Sequence, residues 1–211
     1  MELETMFVDQ KWNILKNLSA NKHSPLQLAT KSNTSIANIS QQLRLLEAAH
    51  LVQKQKIPNR DKGKPRTLFS LTDNYAYLIS TMNDFAEKKL LKLSDHNKAI
   101  LKIWYLEDQE LHYPLEKFFW KIEPNLQEIE GIAITKNGDT KLIVVSEKFD
   151  KKIDDLHVKT KTTERVVKVD VFDKKEFSKY LKKAEFSNLL VLYDPTSSII
   201  NLVKELQGGR E

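Results

Sequence analysis

Between Thr34 and Arg66 the sequence carries two kinds of side chain that can hold a polyanion and read it. Thr34, Ser35, Asn38, Gln41, Gln42 and Arg44 fall in one segment with helical periodicity. At about 100° per residue, Thr34, Ala37, Asn38, Gln41 and Arg44 point away from the apolar positions Ile36, Ile39, Leu43 and Leu46. Amides pair with adenine edges, and arginine with guanine edges, in the major groove of a duplex. From Lys54 to Arg66 there are then six Lys and Arg and a single acid, Asp61. Within that run Lys54, Arg60, Lys62, Lys64 and Arg66 are suited to phosphate contacts beside base contacts. Each signal alone has an ordinary reading. A polar helix face is often just solvated, and a charged hairpin is often a protected edge. Their succession within one short stretch is much more specific.

Other chemistries find little support. The chain has no cysteine, which removes disulfides, thiolate nucleophiles and cysteine metal sites. Its five histidines, at 23, 50, 96, 112 and 157, form no metal-ligand spacing with one another and read as packed or solvated. No metal site, cofactor or catalytic residue is expected. The net charge of +5 is unevenly spread: residues 1–93 carry 14 Lys and Arg against 8 Asp and Glu, and residues 94–211 carry 20 against 21. Such an asymmetry suits a first half that meets a polyanion and a second that does not. No stretch approaches the ~20 apolar residues of a membrane span. The acidic start, Met1-Glu2-Leu3-Glu4, lacks an apolar secretion segment, so the expected location is the cytoplasm, with no membrane partner.

The elements that must position these groups follow from periodicity and punctuation. Asp9 to Leu18 reads as a helix through Trp12, Ile14, Leu15 and Leu18. Ser24-Pro25 restarts a helix to about Lys31, with Ser as cap and Pro in the first turn, and with Leu26, Leu28 and Ala29 as core. Thr34 or Ser35 caps a third helix that runs to about Ala49. A strand from Leu51 to Lys56, a loop to Arg66 and a strand from Thr67 to Leu71 make a hairpin.

This stretch resembles a known family. Ile39-Ser40-Gln41-Gln42-Leu43-Arg44-Leu45-Leu46-Glu47-Ala48-Ala49-His50-Leu51-Val52 is similar to the recognition-helix region of ArsR-type winged helix-turn-helix regulators, whose pattern is close to V-S-x-H-L-x-x-L-x-x-A-G-L-V. Lys62-Gly63-Lys64-Pro65-Arg66 and Phe69-Ser70-Leu71-Thr72 resemble the wing and its exit in the same family. His50 stands where the family has Gly, and Gln42 where it has His. The resemblance covers roughly residues 8–73. It implies dimeric binding of double-stranded DNA with the third helix in the major groove. The cysteines of the metal-sensing founders are absent, so metal sensing is not implied.

Downstream, Thr72-Asp73 can cap a long helix from Asn74 to about Leu93. Tyr75, Leu78, Ile79, Met82, Phe85, Ala86 and Leu90 would form its apolar face. A lone helix of that length is marginal unless this face is covered, either by its own domain or by a second copy. A homodimer through Tyr75, Leu78, Ile79, Met82, Phe85 and Leu90 is the favoured expectation, because two-fold pairing fits half-sites one helical turn apart.

The rest of the chain reads as helices over 95–105 and 114–122, then strands over 131–135, 141–145, 166–172 and 189–193. Asn137-Gly138 signals a hairpin turn, and helices follow at 174–183 and 197–206. The aromatic mass of Trp104, Phe118, Phe119 and Trp120 reads as core. Asp139-Thr140-Lys141-Leu142-Ile143-Val144-Val145 and Val169-Asp170-Val171 resemble two carboxylate-bearing strands of minimal nucleotidyltransferase domains. The Gly-Ser turn of that family is missing, and Lys141 occupies the place of its second carboxylate. A lysine between Asp139 and Asp170 makes a poor magnesium site. The resemblance therefore implies a degenerate domain, a sensor or assembly surface open to an unknown small-molecule or protein effector. A generic α/β sheet is the other reading.

The expectation is an α+β protein. It would comprise a winged helix-turn-helix at 1–73, a helical linker and dimerisation region at 74–123, and a small α/β domain at 124–211. Its expected function is that of a homodimeric, sequence-specific transcription regulator rather than an enzyme. The alternatives are a nucleotidyltransferase-type enzyme or an antitoxin-like protein with a DNA-binding module, and a non-specific architectural DNA binder. The balanced charge of residues 94–211 argues against the last of these.

Overall fold

Local rules account for the first elements. In the computed structural model, which describes residues 7–58, 66–135, 140–148, 153–159, 164–183 and 189–208, α1 spans Asp9–Ala20 and α2 spans Pro25–Lys31. Ser24 Oγ accepts from Gln27 N–H at 3.3 Å, and Gln27 Oε1 accepts from Ser24 N–H at 2.8 Å. This reciprocal cap satisfies two of the donors that a helix start leaves open. α2 ends in a left-handed residue, Asn33 (φ 48°), with Thr34 N–H bonded to Ala29 C=O at 3.0 Å. Asn tolerates that backbone better than most residues. α3 follows at Ile36–Ala48, capped by Ser35. It ends the same way: His50 takes φ 58°, its N–H bonds Glu47 C=O, and Leu51 N–H bonds Leu46 C=O at 3.0 Å. That six-to-one closure brings buried Leu51 against the end of α3 and turns the chain into a strand.

β1 (Val52–Ile57) and β2 (Arg66–Leu71) pair antiparallel, from Val52↔Leu71 to Ile57↔Arg66. A single bridge, His23↔Phe69, adds a third segment. One core holds the three helices and the hairpin base together, including Ile14, Leu18, Leu28, Ile39, Leu43, Leu46, Val52 and Phe69. Three expected core residues stay outside it. Trp12 is 47%, Leu26 60% and Ile36 48% exposed. Ile36 opens α3 one turn before Ile39, at the end of the apolar stripe.

The long helix expected over 74–93 does not exist. Residues 75–92 form a second antiparallel hairpin, β3 (Tyr75–Met82) and β4 (Phe85–Lys92), paired from Tyr75↔Lys92 to Met82↔Phe85. The segment matches two periods at once. Tyr75, Leu78, Ile79, Met82, Phe85 and Leu90 recur at helical spacing, but Tyr75, Tyr77 and Ile79 alternate as in a strand. Aromatic and β-branched residues favour the strand. Asn83-Asp84 supplies the turn, with Asp84 left-handed at φ 65°. The presumed single stripe is thereby split. Register places Tyr75, Ile79 and Leu90 on one face and Leu78, Met82 and Phe85 on the other. Tyr75 and Leu90 pack against the core of their own domain, whereas Ile79, Met82 and Phe85 are exposed.

The chain divides into units Met1–Lys92 and Leu93–Glu211, so the boundary falls at neither residue 73 nor residue 123. In the second unit, α4 (Asp95–Trp104) and α5 (His112–Ile122) precede β5 (Gly131–Thr135) and β6 (Lys141–Val145). Next come β7 (Leu156–Lys159), β8 (Glu164–Phe172), α6 (Lys174–Lys183), β9 (Leu189–Tyr193) and α7 (Ser198–Gly208). The sheet order is β7-β8-β6-β5-β9, with β6 and β8 parallel and the other neighbours antiparallel. Pleating sends Leu142 and Val144 toward α4 and α5, and Ile143 and Val145 toward Phe177, Leu181 and Ile199 of α6 and α7. Both sheet faces are covered there, as the continuous apolar run of β6 anticipates. Gly131 is required by the close approach of α7, since a Cβ would lie 2.3 Å from Ile199 Cγ1. Of the aromatic residues expected in the core, Phe118 and Phe119 are buried. Trp104 and Trp120 are 54% and 56% exposed, and Trp104 Nε1 donates to Glu116 Oε1 at 2.6 Å. Asn137-Gly138 lies outside the described residues, between strands that do pair as a hairpin. The mixture of helix and strand makes the protein α+β.

Candidate nucleic-acid interface

α3 is held from one side only. Ile39, Leu43 and Leu46 are fully buried, and Ser35 Oγ caps the helix by accepting from Asn38 N–H at 3.2 Å. The opposite side divides into two rows. Along the flank, Asn38 Nδ2 donates to Thr34 Oγ1 at 3.1 Å, and Gln42 Nε2 donates to Asn38 Oδ1 at 3.3 Å. These i, i+4 bonds tie Thr34, Asn38 and Gln42 into a half-buried rail. The outer row is Ala37, Gln41 and Arg44, all exposed. Among the described residues, neither Gln41 nor Arg44 has a side-chain partner. The six polar positions expected on α3 are therefore not equivalent. Three are engaged with one another, Ser35 is engaged as the cap, and a planar amide and a guanidinium stand open. Ile36 adds an exposed apolar side chain at the first turn.

The β1–β2 hairpin continues directly from α3. Lys54 and Lys56 share one face of β1, and Gln53 and Gln55 share the other. Lys54 Nζ sits 2.9 Å from Glu47 of α3, so an acid already meets part of its charge. Lys56 and Arg66 are exposed. Arg60, Lys62 and Lys64 lie outside the described residues. Lys22, in the turn between α1 and α2, donates to Gln55 Oε1 at 3.2 Å. It adds a cation beside the hairpin that sequence reading missed, because nothing local links positions 22 and 55. Lys56 lay in the basic run but was not singled out. His23 is packed where its backbone bridges Phe69, with N···O distances of 3.1 and 2.8 Å. Burial, with help from Lys31, lowers its pKa below the ordinary histidine value.

In the second unit, Lys141 Nζ lies 3.8 Å from Asp170 Oδ2, on neighbouring parallel strands. Asp139 lies outside the described residues. Asp155 accepts from Val169 N–H at 2.9 Å, and Asp194 Oδ2 caps α7 through Ile200 N–H at 2.9 Å. Lys102 Nζ reaches Val191 C=O at 2.7 Å. Burial chiefly lowers its pKa, helped by Lys98 and opposed by Asp194 and Asp95. Among the described residues, no three His, Asp or Glu converge in an arrangement that could hold a metal ion.

No protein-family model matches this sequence, and no curated protein matches it either. Among the described residues, no helix is long and apolar enough to cross a membrane.

Proposed function

We propose that this chain is a sequence-specific, double-stranded-DNA-binding transcription regulator of the winged helix-turn-helix type, acting as a cytoplasmic homodimer. The observation that carries the reading is the outer row of α3. Gln41 and Arg44 are exposed, without a side-chain partner among the described residues, on a helix whose other side is locked into the core. Glu47, the carboxylate of α3, is ion-paired with Lys54, and both the amide and the guanidinium have base-edge partners in a major groove. The four-residue connection from α2 to α3 has the length such motifs use. In this reading Arg44 reads a guanine and Gln41 an adenine. The Thr34–Asn38–Gln42 rail stiffens the face, and Lys56, Arg66 and the basic residues between them in the sequence hold phosphates.

The second unit plays no catalytic part in this reading. The ammonium of Lys141 beside Asp170 offsets the negative charge a magnesium–nucleotide site would need. The exposed Met82 and Phe85, which share one face of the second hairpin, are the surface assigned to dimerisation.

Selection of bound fragments from random DNA, followed by anisotropy titrations, tests the proposal. The expected result is an enriched motif, bound less tightly and less selectively by Arg44→Ala. No enriched motif, or undiminished binding by Arg44→Ala, ends the DNA reading. Sedimentation at micromolar concentration tests the dimer separately. The parent should sediment as a dimer, and Met82→Lys with Phe85→Lys as a monomer. A monomeric parent counts against the dimer alone.

A further inference from the structure

The base of the second hairpin does not close flush against α1. It leaves a cavity of about 210 Å³ inside the first unit, with walls from α1, the ends of the first hairpin and the base of β3–β4. Its lining is mainly aromatic and aliphatic: Phe7, Trp12, Tyr75, Tyr77 and Leu90 contribute, together with Lys16. The rings already form a partial cage. Phe7 stacks on Tyr77 at 5.5 Å between centroids and meets Trp12 edge-on at 6.4 Å. Trp12 lines the cavity while 47% of its surface stays exposed.

We infer that this cavity is a binding site for a small aromatic carboxylate of one or two rings. The size argument is direct. Apolar cavities of roughly 150 Å³ accept a benzene ring, so this one has room for a ring and a short substituent. The charge argument fixes the substituent. Two charged side chains line the cavity, Asp73 and Lys16. Asp73 is ion-paired with Lys92, which answers its charge. Lys16 is exposed and has no carboxylate partner among the described residues. The surplus is positive, and a carboxylate on the ligand meets it. Flat π-faces favour a ring over an alkyl chain in the same volume, through offset and edge contacts with Trp12 and Tyr77. This inference is independent of DNA binding.

Trp12 reports the site in the full chain once Trp104→Phe and Trp120→Phe remove the other two tryptophans, both of which are exposed. Titration with phenylacetate should change Trp12 emission saturably. Benzyl alcohol and hexanoate should bind more weakly. Lys16→Gln should weaken phenylacetate by a factor on the order of three, as expected for an exposed charge pair, and leave benzyl alcohol unchanged. Leu90→Phe, checked for folding by its thermal melt, should fill the space and abolish the response. Non-saturable emission changes, hexanoate binding as well as phenylacetate, or a Lys16→Gln chain that treats both aromatic probes as the parent does would overturn the inference. None of these readouts involves DNA, so the failure of one proposal is distinguishable from the failure of the other.

Discussion

The two hairpins of the first unit, residues 52–71 and 75–92, are built alike and clothed oppositely. Each is a two-stranded antiparallel ladder, and an isolated ladder of that kind is marginal in water. The first is secured by Val52 and Phe69 in the core and by the bridge to His23, and β1 beyond Val52 shows water mostly Lys and Gln. The second is secured only at its base, by Tyr75, Tyr77 and Leu90, and its far end exposes Ile79, Met82 and Phe85. A polar hairpin can stay solvated, and under the proposed function it is the one that meets a polyanion. An apolar one leaves surface that association would cover. Two adjacent, similar elements thus present opposite surfaces, and side-chain placement alone makes the difference.

The sharpest way to break this comparison is truncation. Phe69→Ala removes a buried ring from the first hairpin and should cost about 3–5 kcal/mol in urea unfolding. Phe85→Ala, in the exposed end of the second, should stay within about 0.5 kcal/mol for the monomer. Equal losses would mean that the second hairpin is as much a part of the core as the first. Next in size is the contrast on DNA. Arg44→Ala should lose about 1–3 kcal/mol and relax preference at one base pair. Lys56→Ala should weaken all sequences alike and reduce the salt slope by about one.

Backbone strain gives a smaller contrast. His50 and Asp84 both hold left-handed φ values, before the first hairpin and at the tip of the second. His50→Gly should raise stability by about 0.5–1 kcal/mol in a thermal melt, and Asp84→Gly by less, because Asp visits this conformation more readily. The smallest effect is pH dependence. Because burial lowers the pKa of His23 in the folded protein, the unfolded chain takes up that proton first. Stability should be intact above about pH 6.5 and fall as the pH drops below it. His23→Gln should flatten that slope in urea melts between pH 7 and 5.

The helices were legible where one short-range rule governed each end. Ser24 with Gln27, Ser35 with Asn38 and Asp173 with Glu176 are caps visible in the sequence and present in the structure. The strands over 131–135, 141–145 and 189–193 were equally plain, because apolar runs bounded by turn residues leave little choice. β7 was not, since four residues reading Leu-His-Val-Lys carry almost no pattern until β8 pairs with them. In the candidate site, sequence alone named the polar residues of α3. It could not tell that Asn38 and Gln42 bond along the helix while Gln41 and Arg44 do not.

Sequence by itself therefore determined the three N-terminal helices, the polar face of the third and the basic stretch after it, because each depends on contacts a few residues apart. Tertiary structure alone decided that residues 75–92 are strands. Helical and strand periods both fit that segment, and the choice rests on Tyr75 and Leu90 finding cover on a core whose other members, from Ile14 to Phe69, come earlier in the chain. The same holds for Lys22 reaching Gln55 and for two tryptophans facing water. Such outcomes depend on which surfaces meet in space, and spacing along the chain does not encode that.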